Sequence, residues 1–154
     1  MKLTPNFALE EFEIDGPMPD ECVPSYTTLC HLVLEPTREQ FGEPIEITSG
    51  WRDVISNKKA NGDPHSEHMA TKDYCAADWK IVKWRDLRPV FDWIRRSNLP
   101  FHIITLEHNG ENGEDIIHIS WNRFSTLTTR EAKEGATNNR EAYLSWPTGP
   151  GVSA

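Results

Sequence analysis

The sequence has few cysteines, no apolar run of membrane-spanning length and a deficit of positive charge, and each scarcity removes a class of protein. Cys22, Cys30 and Cys75 are odd in number and show no framework spacing, so at least one thiol is free or metal-bound. That pattern suits a reducing compartment better than a disulfide-built secreted domain. No stretch approaches the roughly 20 apolar residues that a spanning helix needs, which excludes membrane insertion as a helix. Lys and Arg total 16 against 24 Asp and Glu, a formal net charge of −8 that repels nucleic acid phosphates and anionic lipid. The opening "MKLTPNFALEEFEIDG" has one early lysine, no apolar run of signal-peptide length and an acidic continuation, so no export signal is expected.

The 154 residues and their 37% hydrophobic content suffice for one domain with one core and a very polar surface. "LTPNFALEEF" reads as an extended lead into a short helix that Asn6 can cap, and "DGPMPDECVP" breaks the chain. "SYTTLCHLVLEPTREQF" places Leu29, Leu32, Val33 and Phe41 at helical spacing, with Pro36 set to kink or divide the helix. "EPIEITSGWR" alternates as a half-buried strand does, and a long polar loop is expected from Asp53 to about Tyr74. "CAADWKI" reads as a second strand. "KWRDLRPVFDWIRRSN" reads as a helix with Leu87, Val90, Phe91 and Ile94 inward. "FHIITLE", the turn "HNGENG" and "EDIIHISW" form a hairpin. The expected architecture is α+β, a small antiparallel sheet with helices on one face. Residues 1–123 would form the domain, and 124–154 a polar, partly mobile extension.

The chemistry concentrates in "PHSEHMATKDYCAADWK", residues 64–80. A catalytic zinc site takes three protein ligands from His, Asp, Glu or Cys and keeps a fourth position for water. His65 and His68 lie in the polar loop, Asp78 in the second strand and His118 within the apolar "DIIHISW". A strand histidine there faces either the core, bonded to backbone, or a cleft.

"ITSGWR", Asn57, "SEHMATKDYCAADW" and "IIHISW" together resemble the zinc D-alanyl-D-alanine carboxypeptidase family, of hedgehog/DD-peptidase-like fold, over about residues 2–123. The resemblance implies that His68, Asp78 and His118 bind Zn2+, that Arg52 stabilises an oxyanion over the cleft, and that Ser66 holds a substrate carboxylate. For the general base it implies Glu107 at the end of "HIITLE", or Asp115 three residues before His118. Strand parity favours Glu114 over Asp115, because side chains at even separation share a face. The loop "MATKDY" is longer than the family's and lacks its glycine, which makes Asp73 a rival ligand. Cys75 is a soft donor type but reads as a small buried residue. His65 is expected outside the ligand set, and His31, His102 and His108 as structural or exposed.

The function so implied is hydrolysis of peptide bonds in peptidoglycan stem peptides, of carboxypeptidase or endopeptidase type. With no export signal, the expected setting is a bacteriophage endolysin in the host cytoplasm before lysis, or a lysin carried in the virion with other virion proteins as partners. A second reading is a phage structural or assembly protein that keeps the fold without activity. The altered loop, the polar extension and an acidic surface poorly matched to an anionic wall motivate it.

Overall fold

The computed structural model describes residues 1–108, 113–136 and 144–147. The chain opens with a two-stranded antiparallel pair, β1 (Lys2–Thr4) and β2 (Phe7–Ala8), followed by a 3-10 turn over Leu9–Phe12. Asn6 does not cap that turn. Its backbone and side-chain nitrogens both donate to Glu35, at 2.8 Å each, and tie the N-terminal pair to the helices. The turn is closed instead by Glu11, whose carboxylate accepts the Ala8 N–H.

The kinked helix expected over residues 25–41 is α1 (Val23–Leu29) and α2 (Glu35–Phe41), joined by a π turn at Cys30–Leu34. Pro36 explains the joint. It has no N–H to donate, and its ring needs space where the carbonyl four residues earlier would sit. The wider turn supplies that space and rotates the helix surface. Cys30, Val33 and Leu34 face the core, while Leu32, expected inside, is left 39% exposed. Gly42 ends α2 in the left-handed region at φ 68°.

Six strands form the main sheet: β3 (Ile45–Ser49), β4 (Tyr74–Ile81), β5 (Ile103–His108), β6 (Asp115–Asn122), β7 (Glu131–Ala136) and β8 (Leu144–Pro147). Their spatial order is β3-β4-β6-β5-β7-β8. The expected hairpin is the antiparallel β5–β6 pair; its turn residues 109–112 lie outside the described residues. The remaining helices are α3 (Val54–Lys59) and α4 (Arg88–Arg96). Helix α1 packs on β4 and β6, and α4 on β5.

One face of the sheet makes the core. Cys75, Ala77, Trp79 and Ile81 of β4 join Ile117 and Ile119 of β6, Ile104 and Leu106 of β5, Tyr26 and Leu29 of α1, and Leu87, Val90, Phe91 and Ile94 at α4. Each such large apolar side chain contributes about 1.5–3 kcal/mol by leaving water. The alternate residues of the same strands, among them Asp78, Thr105 and His118, point to the other face. The mixed α+β architecture is therefore the one the sequence pattern implies.

Two features differ from expectation. Residues 54–59 of the expected loop are the short helix α3, nucleated by Asp53, whose carboxylate accepts the Ser56 N–H at 2.7 Å while the Ser56 hydroxyl accepts the Asp53 N–H at 2.9 Å. Residues 131–136, placed by the sequence in a polar extension, are a sheet strand that runs parallel to β5. Ala132 is fully buried, and the neighbouring Arg130 stacks on Phe101 and donates to the Ser97 and Leu99 carbonyls. The sheet is thus antiparallel except at β5–β7, and residues 137–143 and 148–154 of the expected extension lie outside the described residues.

Candidate metal centre

Strand register brings two of the expected ligands together. Asp78 of β4 and His118 of β6 are direct partners across an antiparallel pair, so their side chains rise from the same face. An irregularity between Ile47 and Ser49 shifts β3 so that Ser49 stands opposite Asp78, and the chain then turns away through Gly50, Trp51 and Arg52. Gly50 is required there: a Cβ would lie 2.4 Å from the Phe12 carbonyl oxygen, and the same carbonyl accepts the Trp51 N–H.

The third ligand arrives on the loop. His68 is buried, its carbonyl accepts the Arg52 N–H at 2.9 Å, and its N–H donates to the Ser66 hydroxyl at 3.2 Å. Its Nδ1 lies 2.7 Å from the Gly50 carbonyl oxygen, and its Nε2 lies 3.2 Å from Asp78 Oδ1. His118 Nδ1 lies 2.9 Å from the same oxygen. One ligand atom from each of His68, Asp78 and His118 falls within 4.8 Å of the other two.

The donor chemistry fits a cation. A carbonyl only accepts, so His68 Nδ1 carries the proton, and in a neutral ring Nε2 then presents a lone pair toward a carboxylate oxygen. Two acceptors facing each other at that distance need a positive charge between them or a protonated ring. A tetrahedral zinc ion with bonds of about 2.0–2.1 Å holds its ligand atoms about 3.3 Å apart, close to the spacings seen. The Gly50 carbonyl is then the outer partner that fixes the tautomer and ring orientation.

The surroundings of the carboxylate favour its charged form. Burial alone would push the Asp78 carboxyl up, but the His68 ring, with His118, outweighs it and holds the group well below the usual carboxylate range. Arg52 adds a fixed positive charge. It is buried, with Nη2 3.4 Å from Asp78 Oδ2, Nε 3.2 Å from the Ser49 hydroxyl and Asp15 at 3.9 Å.

The three candidates for the base lie in different places. Glu107 pairs with Ile116 and shares the sheet face of Thr105 and His118, half-buried. Asp115 points to the opposite face. Its carboxylate accepts the Leu87 N–H at 2.9 Å at the start of α4 and meets His108 Nδ1 at 2.9 Å, so it holds a helix terminus and stands apart from the centre. Glu114 lies on the site's side, where Lys80 Nζ engages it at 3.1 Å.

The other candidates are placed elsewhere. Asp73 pairs with Arg123 and takes no part in the cluster. Cys75 sits in the core with its thiol pushed well up, chiefly by burial, and His65 and His31 are exposed. His108 bridges Asp115 and Glu134, each at 2.9 Å. His102 pairs with Glu67, a contact between residues 35 apart that no local pattern announces. Burial works against the Glu67 charge, yet the His102 hydrogen bond holds that carboxyl low and raises the imidazole in turn.

A mixed α+β fold that gathers a His-Asp-His group able to hold a metal ion on one face of its sheet is compatible with an α+β peptidase. The family model described as Peptidase M15 matches residues 5–119, and the chain belongs to that family. The match runs from just before β2 to most of β6 and contains all three cluster residues. No curated protein matches the chain. Among the described residues, no helix is long and apolar enough to cross a membrane.

Proposed function

We propose that this peptidase-family domain is a zinc-dependent enzyme that hydrolyses peptide bonds of bacterial peptidoglycan stem peptides, as a D-Ala-D-Ala carboxypeptidase or an endopeptidase. The convergence of His68, Asp78 and His118 inside the family-matched region carries the reading. The substrate class rests on the sequence resemblance, as does a phage origin, either as an endolysin or as a virion-borne lysin.

In this reading His68, Asp78 and His118 would hold the ion. The chemistry zinc supplies in such a site is Lewis acidity toward a carbonyl and a water made acidic near neutral pH. Arg52 keeps its charge beside Asp78 and stabilises negative charge that develops on the substrate oxygen. Glu107 accepts the proton of the attacking water and returns it to the leaving amine, which requires a carboxylate on the His118 face. Ser66, next to the cluster and bonded to the His68 N–H, orients the substrate's terminal carboxylate.

Elemental analysis of purified protein beside a His118→Ala variant tests the metal, and mass spectrometry of defined muropeptides after digestion tests the substrate. About one zinc per chain, lost in the variant, and a single cleaved bond are expected. Zinc without cleavage of any muropeptide removes the cell-wall assignment. No zinc in the wild type removes the enzyme reading and favours a structural role for the fold.

A further inference from the structure

Of the three cluster residues, His68 alone comes from a segment without helix or strand. Asp78 and His118 are held in place by the β4–β6 ladder, whereas the bonds His68 makes to Gly50, Ser66 and Arg52 all lie within one corner of the chain. Beyond the contacts of His68 and Arg52 with Asp78, and of Asp73 with Arg123, one further contact ties that corner to the strand that carries His118.

Glu67, next in the chain to His68, makes that contact. Its side chain is only 11% exposed. Its two carboxylate oxygens lie 2.9 and 2.8 Å from His102 Nδ1, and Oε2 accepts from Asn122 Nδ2 at 3.2 Å. Asn122 lies four residues beyond His118 on β6, hence on the same face. His102 is itself pinned, its N–H donating to the Ser120 carbonyl and its carbonyl accepting the Glu131 N–H, both at 2.8 Å. A charge-assisted bond from a pinned imidazole is short and directional, so it fixes the Glu67 backbone, and the next residue in the chain is His68.

We propose that Glu67 and His102 are positioning residues that set the distance between His68 and the Asp78–His118 pair and thereby tune metal affinity. The inference rests on the metal reading above. Outer partners of metal ligands typically change affinity about 10- to 100-fold when removed, and a Glu67→Ala or His102→Ala variant is expected to fall in that range. Because the two act through one contact, the double variant should be no more than a few-fold weaker than either single one. Glu67→Gln keeps an oxygen for His102 and Asn122 and should recover most of the affinity.

The measurement is zinc affinity of the full chain by competition with a chromophoric chelator, joined to the visible spectrum of the cobalt-substituted protein and the melting temperature of the metal-free form. A displaced His68 should shift the cobalt bands in Glu67→Ala and His102→Ala and leave them near wild type in Glu67→Gln. Wild-type affinity and an unchanged cobalt spectrum in folded Glu67→Ala overturn the inference, whatever happens to its melting temperature, since the pair is then only a fold contact. If Glu67→Ala does not fold, His102→Ala and Glu67→Gln carry the same readings. Wild-type protein that takes up neither metal fails earlier and overturns the metal reading itself, a result distinct from variants that bind as wild type does.

Discussion

The strand-borne and loop-borne halves of the site are built by different physics. Asp78 and His118 owe their meeting to a backbone ladder, and their side chains share a face because strand geometry has a period of two. The loop that carries His68 and Ser66 is held by scattered bonds: backbone ones such as the Arg52 N–H to the His68 carbonyl, and side-chain ones from Asn57 Nδ2 to the Asp63 carbonyl at 2.9 Å, Cys22 Sγ to the Ala70 carbonyl at 3.2 Å, and Glu67 with His102. Even the glycine of this loop serves contact, since a Cβ on Gly62 would lie 2.0 Å from Asn57 Oδ1. The ladder half tolerates a single side-chain loss without losing its frame. The loop half depends on each bond separately.

Removing a ligand from the ladder half should have the largest effect. His118→Ala is expected to lower zinc affinity by more than the roughly 100-fold upper range for outer partners, with the fold retained; calorimetric zinc titration and circular dichroism check both. Next is the base. Glu107→Gln should lower kcat by about 10²–10⁴-fold at unchanged zinc content. Arg52→Ala should lower it by about 10²–10³-fold, read in the same assay with zinc measured in parallel.

Asp115→Asn sharpens the contrast between the two sheet faces. It should leave kcat within a few-fold of wild type but cost about 1–3 kcal/mol of stability, because the Leu87 N–H loses a charged acceptor. Loss of activity as large as that of Glu107→Gln, in folded protein, would return Asp115 to the catalytic set.

The smallest effect lies outside both halves. Burial works against the Glu35 charge, but hydrogen bonds from Asn6 and Thr4 outweigh it and lower the carboxyl. A lowered folded value means the contribution is fully present above the unfolded pKa, about 4.3, and fades as pH falls through the folded one. Glu35→Gln should therefore flatten the acid side of the melting-temperature profile and leave the neutral-pH metal affinity alone. An unchanged acid limb assigns that loss of stability to other carboxylates.

How much of this was legible in the sequence follows the same division. The alternation of "EPIEITSGWR" and "EDIIHISW" announced the strands, and "RPVFDWIRR" announced α4 with its inward residues. The sequence pattern ranks Asp115 second to Glu107 as base and Glu114 third, although strand parity points Glu114 rather than Asp115 with His118; Asp115 lies on the other face, and Lys80 engages Glu114. The π turn was hidden because Pro36 shows that a helix must yield but not how. Strand β7 was hidden because "EAKEGA" is polar and is held mainly by its ladder to β5. The Glu67–His102 contact joins residues 35 apart, and Gly50 acts through a carbonyl that every residue type carries.

The most direct test is a zinc-edge anomalous difference map from crystals grown with zinc. The expected result is one dominant peak about 2.0–2.2 Å from His68 Nε2, Asp78 Oδ1 and His118 Nδ1. A map without a peak among these three atoms, or with zinc held elsewhere on the chain, contradicts the metal centre and the chemistry built on it.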